Sequence, residues 1–148
     1  MSVFRQLAVT TLFALLAACN GAGTSASAFV PPPSAAPGVY FEVRTAPSEA
    51  PFIVLVTDPE TIGKGRALAG TSNTTVVSGV VVAAPVWYNP NWAFYLRPDS
   101  VRMPEVTVEV CQATATYVQQ HLSDVGKSFL PDSQWCAVGT QIIREISP

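Results

Sequence analysis

Three cysteines, one histidine and a proline-clamped aromatic run are the residues of this chain with chemistry to offer. Cys111 and Cys136 stand on either side of an amphipathic stretch and a loop that Pro131 stiffens. In an oxidising compartment such a pair closes as a disulfide. A closed loop of about 25 residues would stabilise the fold by roughly 3 kcal/mol in the chain-entropy account. The alternatives are two reduced, buried thiols or half of a metal site. Two isolated cysteines and one histidine make a poor zinc set. His121, with Asp124 one turn on, has the form of a general base held by a carboxylate. No nucleophile stands at a readable spacing, so the expected role is a histidine on a helix surface. Glu105 and Glu109 are too far apart for a tight acid pair. Asp58, Glu60, Asp99, Asp124 and Asp132 match no calcium loop. The run GKGRALAG has glycines but not the Walker spacing. No catalytic residue, metal ligand or cofactor is expected.

The strongest site candidate is the run Pro85-Val86-Trp87-Tyr88-Asn89-Pro90-Asn91-Trp92. Trp87, Tyr88, Asn89 and Trp92, with Tyr95 on the strand that follows, would form a rigid aromatic platform for a protein or a sugar face. The competing reading is that one or two of these rings cap the core.

The first residues read as an address. Arg5 precedes an apolar run at residues 7–18, too short to span a bilayer and suited to a signal-peptide core. The run ends in Leu16-Ala17-Ala18-Cys19, which resembles the lipobox of bacterial lipoproteins. That resemblance implies a mature chain beginning at a lipid-bearing Cys19, anchored in a membrane. The alternative is an ordinary secretory signal, with Cys19 incidental. Asn20 in place of aspartate points to the periplasmic face of an outer membrane. Residues 19–38 are Gly, Ala, Ser and Pro with almost no bulk, a tether outside the fold. The domain spans 39–148.

Apolar residues make up 49% and charged residues 12%, so a core is available and the surface relies on uncharged polar groups. A net charge of −2 gives no footprint for nucleic acid. Alternation marks a strand at 39–44, and uniform apolarity marks another at 52–57. Asp58-Pro59 opens a helix at 59–69, weakened by Gly63 and Gly65. Strands follow at 75–84 and 93–97, and at 105–110 with Val106, Val108 and Val110 inward. Cys111, Ala115, Val118, Leu122 and Val125 define the buried face of a helix over 112–125, closed by Gly126 and Lys127. A last strand covers 137–146. The order β-β-α-β-β-β-α-β predicts an α+β fold: a mostly antiparallel sheet with about two helices on one face and one disulfide.

Two blocks carry a family resemblance. The first is Ala84-Pro85, Tyr88-Asn89-Pro90, Trp92, Leu96, Pro98 and Val101. The second is Glu109-Val110-Cys111, Ala113, Tyr117-Val118, His121-Leu122, Val125-Gly126, Phe129-Leu130-Pro131 and Trp135-Cys136. Together they resemble the N-terminal domain family of the slime-mould calmodulin-binding protein BP-seventy-four. The resemblance implies a small α+β module without established enzymatic activity. Calmodulin is not an expected partner, because its targets are basic amphipathic helices and residues 112–125 hold no lysine or arginine. The expected function is a non-catalytic, lipid-anchored binding module of a bacterial envelope, otherwise secreted, with a protein or glycan partner. A secreted protease inhibitor using the loop at 87–92 and a small enzyme using His121 are the alternatives.

Overall fold

The structure, a computed structural model, describes residues 37–146. The leader, Cys19 and most of the tether lie outside the described residues. The elements are β1 (Val39–Arg44), β2 (Phe52–Val56), α1 (Pro59–Leu68), β3 (Thr74–Val82), β4 (Tyr95–Leu96), α2 (Ala115–Gln120) and β5 (Gln134–Ile146), with single 3₁₀ turns between them. The sheet order is β2-β1-β5-β3-β4, and every pairing is antiparallel. Long β5 is the spine: its first half pairs with β3 and its second half with β1.

The period of two in the sequence divides the sheet into faces. Phe41, Val43, Phe52, Val54, Val56, Val77, Trp135, Ala137 and Ile142 enter the main core, which both helices cover. Tyr40 and Leu55 face the other way and are covered by Tyr88. Asp58 caps α1 as its position requires, accepting from the Thr61 N–H at 2.9 Å, and Pro59 begins the helix. The glycine that weakens α1 in propensity has a packing reason. A Cβ at Gly65 would lie 2.7 Å from Phe41 Cζ, so only glycine lets the helix axis settle onto β1.

Three expectations are corrected. The helix over 112–125 is six residues of α-helix, Ala115–Gln120, then a 3₁₀ turn at Leu122–Asp124. The cause is His121. Its Nδ1 lies 2.9 Å from the Tyr117 carbonyl, the acceptor its own backbone N–H would take in an α-helix. That N–H donates to Val118 one residue short. The apolar face survives the change, for Ala115 and Val118 are buried and Leu122 and Val125 pack against them. Gly126, at φ +78, turns the chain after this segment, its N–H donating to the Phe129 and Leu130 carbonyls. Second, β5 begins at Gln134, so Trp135 and Cys136 are strand residues. Third, residues 105–110 form no strand, and Val106, Val108 and Val110 point outward.

One long-range cap fixes α2. Glu49, in the β1–β2 loop, accepts from the Thr116 N–H at 2.7 Å, from the Ala115 N–H at 3.3 Å and from the Thr45 hydroxyl. Burial alone would raise this carboxyl's pKa, but the hydrogen bonds from Thr45, Thr116 and Ala115 outweigh it and hold it below the usual glutamate range. The depressed pKa sets the sign. Its stabilisation is complete above the unfolded-state value of about 4.3 and is lost as pH falls through the folded-state value. Glu49→Gln should cost about 1 kcal/mol at pH 7, the scale of a lost helix cap. Urea titrations at pH 7 and pH 3 check this: the difference between wild type and variant should shrink at the lower pH, and an unchanged difference contradicts it.

Candidate functional site

The aromatic loop is built into the fold. Tyr88, Asn89 and Trp92 are buried, which corrects the platform expected of them. The loop wraps the free edge of β2. Tyr88 meets Tyr40 edge-on at 5.3 Å on one face of the sheet, and Trp92 meets Phe52 edge-on at 5.7 Å on the other. Trp92 Nε1 donates to the Pro51 carbonyl at 3.0 Å. Between the two rings, the Asn89 amide takes the place of a neighbouring strand. Its Oδ1 accepts from the Ile53 N–H at 2.7 Å, and its Nδ2 donates to the Ile53 carbonyl at 2.7 Å. Burial of the Tyr88 ring raises its phenol well above the usual tyrosine range, so it stays protonated. Tyr95 is half-buried beside these residues. Trp87 alone of the five is exposed, its ring edge-on to Tyr40 at 5.8 Å and to Tyr88 at 5.6 Å.

His121 is likewise occupied. Its ring stacks on Tyr117 at 4.0 Å, with Phe129 edge-on at 5.8 Å. Asp124 meets it through the backbone, its N–H donating to the His121 carbonyl at 2.9 Å.

The disulfide expected between Cys111 and Cys136 is present, with Cα atoms 5.1 Å apart. It marks a feature the sequence reading missed. Arg102 pairs with Ser78 on β3, with two backbone hydrogen bonds of 2.9 Å. Ser78 pairs with Cys136 on β5, and Cys136 is bridged on its far side by Gln112. Between Arg102 and Gln112 the chain therefore crosses three strand spacings, roughly 14 Å, over one face of the sheet. Residues 103–111 are a strap, pinned at one end by the ladder to Ser78 and at the other by the disulfide.

The strap has a strand's sequence without a strand's partner. Both sides of the β3–β5 pair are already taken at this level, so the alternating EVTVEV has nothing to pair with. Val106, Val108 and Val110 are 82%, 63% and 62% exposed. Among the described residues, no backbone group of Glu105, Val106 or Thr107 makes a hydrogen bond. The usual rule is that such groups find partners or water.

Two grooves flank the strap and share Pro104 as a wall. One, about 360 Å³, is lined by Val106, Val108, Val110, Pro131, Ser78 and the disulfide. The other, about 490 Å³, lies between the strap, Val138 and Lys64 of α1. The far wall of the first groove is strained. Leu130, Asp132 and Ser133 hold left-handed φ values of 48°, 57° and 58°. Aspartate tolerates this region, but leucine avoids it. Leu130 stays there because its side chain is locked in the core. Strain held beside a groove is a mark of functional walls.

The family model for the BP-seventy-four N-terminal domain matches residues 37–148. No curated protein matches the chain, and no solved structure does.

Proposed function

The chain belongs to the BP-seventy-four N-terminal domain family, and from that premise we propose that it is a non-catalytic, lipid-anchored binding module of a bacterial envelope, gripping a protein partner through the strap. The observation that carries this reading is the row of three exposed valines beside an apolar groove, on a segment whose backbone at Glu105, Val106 and Thr107 is unpaired among the described residues. Contiguous exposed apolar patches of this kind mark protein contacts. A protein is favoured over a glycan because the strap offers branched aliphatic side chains, while the rings of Tyr88 and Trp92 lie inside the fold. The same burial leaves Trp87, Pro90 and Asn91 as the exposed part of the loop's tip, a smaller surface than the inhibitor reading expects. Against the enzyme reading, the His121 imidazole stacks on Tyr117 and gives its Nδ1 to the Tyr117 carbonyl, and no nucleophile stands beside it among the contacts of its ring.

The anchor is the lipobox-like Leu16-Ala17-Ala18-Cys19, and the disulfide suits the oxidising side of a membrane. The proposed site is the periplasmic face of an outer membrane. Cys19→Ser should move the protein from the membrane fraction to the soluble one, and unchanged partitioning refutes the anchor. The partner is tested by pull-down from envelope extracts with wild type and with Val106→Asp/Val108→Asp. Proteins captured by the first should be missing from the second, and identical lists sink the strap as the contact surface.

A further inference from the structure

We infer that the strap takes its partner as an added β-strand, an extended segment alternating apolar residues with lysine or arginine. This rests on the reading that the strap is the contact surface. Two observations favour strand addition over a helix in the groove. The backbone groups of Glu105, Val106 and Thr107 are unpaired among the described residues, and Val108, which follows them, is extended at φ −104, ψ 146. The flanking residues alternate as a half-buried strand does, so a neighbour paired to this backbone would cover one row of side chains.

Charge selects the occupant. Four of the chain's carboxylates, Glu42, Glu60, Asp99 and Glu145, sit in ion pairs, and Glu49 and Asp58 cap helices. Among the described residues Glu105, Glu109, Asp124 and Asp132 have no cationic partner. All of these but Asp124 belong to the strap or to the wall facing it. A second copy would double those carboxylates on one interface, which opposes self-pairing. A basic, β-branched strand would place cations beside Glu105 and Glu109 while its apolar residues meet the valines. Charge of this kind acts on encounter and specificity, so binding should weaken with salt.

The test uses the full chain in detergent micelles and a fluorescent hexapeptide, Lys-Val-Thr-Val-Lys-Val. Anisotropy should saturate, and affinity should fall at least tenfold for Glu-Val-Thr-Val-Glu-Val and for the Val106→Asp/Val108→Asp chain. Amide exchange at residues 105–107 should slow at least tenfold when the basic peptide is bound. Equal binding of the acidic peptide, or no protection of those amides, overturns strand addition. Dimerisation of the chain through the same amides would also overturn it, in favour of a second copy. If strand addition fails while Val106→Asp/Val108→Asp still loses its envelope partner, the strap reading stands. If that partner is retained as well, both fail.

Discussion

Replacing Cys111 and Cys136 together by alanine should lower the free energy of unfolding by about 3 kcal/mol and the melting temperature by roughly 10 °C. The bridge spans 25 residues, a loop that includes α2, two 3₁₀ turns and the strained segment Leu130–Ser133. Without it the unfolded chain regains that loop's entropy. The folded chain also loses the pin at the strap's second end, leaving Gln112's bridge to Cys136 to hold it. The loss should therefore be uneven. Amide exchange should accelerate most from Gln112 to Trp135, while β1 and β2, joined by their own ladder, keep their protection. Thermal unfolding by circular dichroism and exchange of the double variant test both halves. A melting temperature within a degree or two of wild type would show that packing of Trp135 and Val118 holds this region unaided. The single variants are poorer probes, since each leaves a free thiol able to pair elsewhere.

What the sequence revealed depended on how local the cause was. Alternation at β1 and the capping pair Asp58-Pro59 act within a few residues, and both elements stand where expected. The disulfide was legible because two cysteines around an amphipathic stretch, with a single histidine in the chain, have few other uses. Residues 105–110 show the limit. Their alternation is that of a strand, but whether a strand forms depends on a vacant neighbour, and β3 and β5 had none to offer. The same pattern that normally reports burial here reports an exposed row with no strand beside it. Long-range caps were invisible for a similar reason. Glu49 reads as one charge in a proline-broken loop, and nothing near it in sequence announces that it closes a helix 66 residues on. His121 could have been read better. A histidine placed to bond the carbonyl four residues back can end a helix, and the shortened α2 follows from that.

Asn89→Asp should destabilise the fold more than Asn89→Ala, although aspartate is the closer match in shape. Asn89 is buried against the edge of β2, one amide group giving and the other taking a hydrogen bond of 2.7 Å with Ile53. Alanine leaves the Ile53 N–H and carbonyl unpaired, a loss of about 2 kcal/mol if water partly replaces the amide. Aspartate keeps the acceptor but sets a carboxylate oxygen against the Ile53 carbonyl, and the loss should reach about 3 kcal/mol or more. The two variants should also part in their pH dependence. Burial beside a carbonyl favours the neutral acid, which can donate where the amide did, so the folded-state pKa of this new carboxyl is raised. Its contribution is then fully present below the unfolded value and is lost as pH rises through the folded one. Asn89→Asp should approach Asn89→Ala in stability, or exceed it, as pH falls toward 4, and should be the weaker of the two at pH 7. Either change also uncovers a strand edge that the loop now closes, so concentration-dependent association should appear in both. Urea titrations across pH and light scattering against protein concentration read these effects. Two variants with the same stability at every pH, both monomeric, would show that Tyr88 and Trp92 hold the loop by ring packing and that the paired amide adds nothing to the closure of the edge.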